Sequence, residues 1–154
     1  MVFRHLSRPL EAFKWVAFGS VQFSESEEYL EFRYKFLILL MLSAIVLTAL
    51  VILGTVSQIN PIDWSHGRMM VIFTFVSTLL WLLLRDSPER FKWIGWTYEA
   101  LSLAESASST IFVSVDELRL LWFYTNVPCV FILLGQRAGW LVTGGTILGF
   151  VMGN

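Results

Sequence analysis

The sequence predicts an all-α integral membrane protein: a bundle of five transmembrane helices preceded by an amphipathic helix in the membrane interface. Three observations carry this. The chain is 56% hydrophobic and 16% aromatic but only 15% charged, against about 25% charge in a typical soluble domain. The run "FLILLMLSAIVLTALVILGTVS", Phe36 to Ser57, contains no charge and has the roughly 20 residues a helix needs to cross the hydrocarbon core. Four more apolar segments follow, joined by connectors such as "RDSPERFK" and "GQRAG" that are too short to be domains. Residues 1–35 read as a cytoplasmic or interfacial leader, and 36–154 as the transmembrane bundle.

In the leader, "SRPLEAFKWVAFGSVQF" places Leu10, Phe13, Val16 or Phe18, and Val21 near helical spacing, with Arg8, Glu11 and Lys14 elsewhere. Such a helix lies along the interface with its aromatic residues at the acyl boundary. "SESE" then offers a capping box between Ser24 and Glu27, so a helix beginning there is expected to run through Glu31 and Lys35 into the first span. That span is longer than a signal-peptide core and lies behind a charged leader, so it is read as permanent.

The second span is "MMVIFTFVSTLLWLLL", Met69 to Leu84, with room for another turn at its start. The third, Trp93 to Ser114, carries glutamates and serines, yet it holds no proline, and Trp93 and Trp96 stand like an interfacial belt. Leu120 to Gly135 is the fourth; Asn126 and Pro128 interrupt it, and neighbouring helices can accommodate a proline kink in a span. Ala138 to Asn154 is the fifth, with Gly145, Gly149 and Gly153 every four residues. Such a stripe lets helix backbones touch, either within the subunit or in a homodimer.

Charge orients the bundle. If all five segments cross, Arg4, Arg8, Lys14, Arg33, Lys35, Arg85, Arg90, Lys92 and Arg137 share the side of the leader, and only Arg68 and Arg119 lie opposite. Lys and Arg concentrate in cytoplasmic loops, so the N-terminus is expected inside, with Gln58 to Arg68 and Ser114 to Arg119 outside. A formal net charge of −1 gives no reason to expect a nucleic-acid partner.

The candidate site lies on the third span. At 100° per residue, Tyr98, Glu99, Ser102, Glu105, Ser106 and Ser109 fall within roughly 120° of arc, and Leu101, Ala104, Ala107 and Ile111 face the other way. Lipid cannot satisfy a polar stripe, so it is expected to face the bundle interior. Intramembrane acids are functional candidates by default, which singles out Glu99 and Glu105; burial in a structural hydrogen-bond network is the plainer alternative. Ser108 and Ser109 fit ordinary packing. Trp122, Phe123, Tyr124 and Asn126 on the fourth span could hold the apolar body of a ligand whose polar end meets the acids.

Other features are plainer. Cys129 is the only cysteine, which excludes an intrachain disulfide. His66 is placed on the outer loop beside Met69 and Met70; a haem or metal ligand there lacks a second histidine on the same side, so no metal or cofactor is expected. No nucleophile–base pairing or phosphate loop appears, and catalysis is not expected within this chain.

The stretches "EYLEFRYKFLILLML" and "DELRLLWFYTNVPCVFILLGQRAGW" resemble the integral-membrane sensor domains found ahead of bacterial diguanylate cyclase (GGDEF) or sensor kinase domains. The resemblance covers roughly residues 28 to 150 in layout and a few short motifs in letters. It implies an input domain of the bacterial inner membrane that binds a small ligand or lipid, or senses membrane state, and moves a cytoplasmic output. The chain has no GGDEF signature or phosphoacceptor region, and the family layout implies a sixth span after "FVMGN". The alternative is a small proton- or cation-coupled transporter or channel subunit using Glu99 and Glu105. Transport calls for ionisable groups on several helices, and here they appear on one, so sensing is preferred. A purely structural or assembly subunit is the third reading.

Overall fold

The computed structural model describes residues 14–59, 62–112 and 119–153, with the side chains of 119–124 and 148–153 left aside. The described residues are helical and contain no strand. After a leader helix at 14–18 and a 3-10 turn at Glu25–Glu27 come α1 (Glu28–Val56), α2 (Trp64–Leu84), α3 (Phe91–Phe112), α4 (Arg119–Leu134) and α5 (Gln136–Gly153). A second 3-10 turn, Pro88–Arg90, leads into α3. Successive helices pack antiparallel, α1 also touches α4, and α5 lies against α4.

Helices stand at all five expected positions, with shifted ends. α2 starts at Trp64 because Asp63 caps it, accepting the Ser65 N–H at 2.8 Å; His66 and Arg68, expected in a loop, are therefore helical. "GQRAG" is almost no connector: Gly135, at φ +90°, makes the whole turn and α5 resumes at Gln136. Two helices, Glu25–Val56 with its initial turn and Trp64–Leu84, are long and apolar enough to cross a membrane. α3 is long enough but diluted by its serines and glutamates, and α4 is short.

The leader end is the packed end. Ala17, Tyr34, Leu37, Ile38, Met41, Leu80, Leu84, Phe91, Ile94 and Leu133 form its apolar core. Tyr34 Oη lies 2.9 and 2.7 Å from the carbonyl oxygens of Leu84 and Arg85 at the C-terminus of α2, where the Leu84 carbonyl also accepts the Ser87 N–H at 2.9 Å. Arg33, one residue earlier, donates from Nη2 to the Leu133 carbonyl near the end of α4, with its guanidinium over the rings of Tyr29 (5.4 Å) and Phe91 (5.2 Å). Adjacent residues of α1 thus cap two other helices.

The leader docks onto this end. Trp81 Nε1 donates to the Ala17 carbonyl at 3.1 Å, and the Arg85 guanidinium sits 5.0 Å from the Trp15 ring. Gly19 ends the leader helix at φ +66°, and a Cβ there would stand 2.8 Å from the Arg85 carbonyl oxygen, so the position favours glycine on both counts. The expected amphipathic face is met in part: Phe18 and Val21 pack on the core, while Val16 is 47% exposed. Leu10 and Phe13 lie outside the described residues. The Glu27 carboxylate accepts from the Ser24 N–H (3.2 Å) and hydroxyl (2.9 Å), and Glu31 pairs with Lys35 along the continuous helix.

Toward the other end the bundle loosens. Val46, Leu47, Leu50, Leu53 and Val56 of α1 are all more than half exposed, and a Thr48–Thr74 hydroxyl contact of 2.7 Å joins α1 to α2.

Candidate functional site

The polar residues of α3 meet α2 and α4 in the looser half. Capping by Asp63 starts α2 at Trp64, which puts His66 in the first turn, where it is buried, 5% exposed. Its Nδ1 lies 3.0 Å from Ser108 Oγ, and its Nε2 lies 3.9 Å from Glu105 Oε1. On the other side, the Ser102 hydroxyl donates to Asn126 Oδ1 at 2.9 Å, and Asn126 Nδ2 donates to Ser106 Oγ at 3.1 Å. The two sets share α3, so the cluster runs α2–α3–α4.

Helical spacing accounts for this. Ser102, Glu105, Ser106 and Ser109 are three or four residues apart and lie on one face; Ser106 and Ser109 are buried, and the Glu105 side chain is 18% exposed. Ala104 and Ile111, on the opposite arc, are exposed. Two turns toward the leader end, Tyr98 is buried with its ring 6.1 Å from Phe73, and Glu99 is only 2% exposed. Glu99 Oε1 has no hydrogen-bond partner among the described residues. A carboxylate oxygen so placed is costly unless a proton, water or ligand meets it.

The sequence-predicted residues separate as follows. Glu105, Ser102, Ser106 and Asn126 come together; Glu99 and Tyr98 sit deeper along the same helix and make no hydrogen bond to these four. The side chains of Trp122, Phe123 and Tyr124 lie outside the described residues. Trp93 and Trp96, expected at the membrane interface, are 59% and 41% exposed.

His66 requires a correction: it is a buried helix residue facing Glu105, not an outer-loop residue. Ionisable side chains therefore come from two helices, α2 and α3, and not from one. The signal available in sequence was Asp63 as an N-cap, which moves His66 into the first turn. Ser108, read as packing, is the histidine's neighbour.

Of the glycine stripe, only Gly145 falls among the described side chains: a Cβ there would meet nothing within 4 Å, so that face of α5 is open; Gly149 and Gly153 lie outside them. The glycines that admit close packing are Gly139, whose added Cβ would fall 2.5 Å from the Phe131 ring, and Gly95, 3.2 Å from Leu134.

Chemically, an imidazole beside a carboxylate and a hydroxyl can accept, hold and pass on a proton. Hydrolytic work by Ser108 does not fit: its residue is 3% exposed, and 3.9 Å is too long for a hydrogen bond between His66 and the acid. Among the described residues no group of three His, Cys, Asp or Glu side chains gathers to hold a metal.

No family model, curated protein or solved structure matches the chain. The functional reading therefore stands on the site and on the sequence resemblance.

Proposed function

We propose that this chain is a membrane-embedded sensory input domain, built of five spans with its N-terminus cytoplasmic in a bacterial inner membrane. It takes up a small ligand or lipid, or responds to membrane state, and passes a helix movement to a cytoplasmic output such as a diguanylate cyclase. One observation carries the reading. A polar cluster of His66, Glu105, Ser108, Ser102, Ser106 and Asn126 is drawn from three helices in the half where apolar packing is thin. Any change in its bonding shifts helices against one another, and a loosely packed bundle resists that shift least. Five spans are supported by five consecutive antiparallel helices that gather Arg33, Lys35, Arg85, Arg90, Lys92 and Arg137 at the leader end.

Proton-coupled transport is the second reading, favoured by the contact of His66 with Glu105 across two helices. Two measurements separate them. With the native gene expressed in bacteria, Glu105→Gln should change cellular cyclic di-GMP several-fold while the protein stays inserted and folded; an unchanged level overturns the input role. In liposomes, the purified chain should leave an imposed pH gradient intact. Glu105-dependent dissipation would make it a proton carrier.

A further inference from the structure

A groove of about 450 Å³ lies between the last turns of α1 and the first turns of α2, a volume typical of small-molecule sites. Ile52, Val56 and Val71 give it aliphatic walls, and Gly67 leaves it open, since a Cβ there meets nothing within 4 Å. At its mouth the Arg68 guanidinium lies over the Trp64 ring at 4.7 Å, and Trp64 is 72% exposed. Asp63 shares the mouth, but its carboxylate is turned to the Ser65 N–H at the start of α2. Among the described residues Arg68 makes no ion pair, and it is one of only two basic residues expected on this side of the membrane.

A hydrocarbon slot ending in one cation complements a molecule with the same two parts: an aliphatic chain and a single anionic head. Tryptophan marks the headgroup level of a bilayer. A guanidinium presents paired donors to a phosphate, and its place over the indole holds it ready.

We propose that this groove binds an anionic phospholipid, with an acyl chain along Ile52, Val56 and Val71 and the phosphate on Arg68. The site rests on the reading of the chain as a membrane protein. It lies at the entry of the helix that carries His66, so a lipid seated there bears on α2 next to the polar cluster.

The test uses the full chain in nanodiscs of equal phosphatidylglycerol and phosphatidylcholine, with retained lipid counted by native mass spectrometry. The wild type should retain phosphatidylglycerol preferentially. Arg68→Gln should lower that preference about fivefold, the effect of one basic residue near an anionic surface. Gly67→Phe, which fills open space, should reduce retention of both lipids. Equal retention of the two lipids by inserted wild-type chain overturns the site and leaves the membrane reading intact. Competition by inorganic phosphate would make it a free-anion site instead. Extraction of the chain by alkaline carbonate would remove the membrane reading and the lipid site together.

Discussion

The contact between His66 and Glu105 can be measured as a coupling energy, and its size reports what kind of contact it is. Two unit charges 3.9 Å apart attract by about 1 kcal/mol in water and about 4 kcal/mol in typical protein surroundings. The Glu105 side chain is 18% exposed and that of His66 7%, which places an ionised pair between these limits, at about 2–3 kcal/mol by the same relation. If the proton is shared so that neither group is charged, the pair is worth no more than an ordinary contact between membrane helices, about 0.6 kcal/mol. The perturbation is His66→Ala and Glu105→Ala, singly and together. Unfolding in mixed micelles gives the four free energies, and the double-mutant cycle isolates the pair from each residue's separate burial. We expect the smaller figure, about 0.6 kcal/mol, at neutral pH, because side chains only 7% and 18% exposed are poorly placed to ionise together; a coupling of about 2–3 kcal/mol would mean an ionised pair instead. A coupling under about 0.3 kcal/mol would mean that the side chains do not meet, and the α2–α3 part of the site would be wrong.

Three further outcomes follow from the packing. Gly139→Leu should destabilise the α4–α5 pair by about 1–3 kcal/mol, because its side chain enters the space of the Phe131 ring; Phe131→Ala should restore most of the loss in melting experiments. Gly145→Leu should leave the monomer's melting temperature unchanged, since nothing lies within 4 Å of the new Cβ, and a clear fall would place a helix against that face. For topology, a cysteine at position 88 in a Cys129→Ser background should resist impermeant reagents added outside intact cells; labelling there would reverse the orientation.

The helices are legible because apolar runs mark them, although among the described residues only two, Glu25–Val56 and Trp64–Leu84, are long and apolar enough to cross a membrane. Helix starts were less so. The second helix begins at Trp64 and not at Met69 because a single carboxylate, Asp63, satisfies an end N–H, a signal much weaker than an apolar run. The inward face of α3 could be drawn from helical spacing alone, but its partners could not. Asn126 stands out in the sequence as an interruption of an apolar run, whereas nothing in the spacing draws His66 or Ser108 to it. Contacts between helices depend on the rotation of each about its axis, which the spacing within one helix does not report. The same limit explains the glycines. A repeat every four residues drew attention to Gly145, while Gly139 and Gly95, which carry no repeat, are the ones set against neighbouring side chains.

Arg33 and Tyr34 tie the angular phase of one helix to the ends of two others. Consecutive residues on a helix point about 100° apart, and here they reach opposite neighbours, the Leu133 carbonyl on α4 and the Leu84 and Arg85 carbonyls on α2. A twist of α1 about its own axis cannot be absorbed by one neighbour alone; it loosens or tightens both connections at once. The angular position of α1 is therefore pinned from two sides, like a spindle held between two gears, at the residues that follow the turn at Glu25–Glu27.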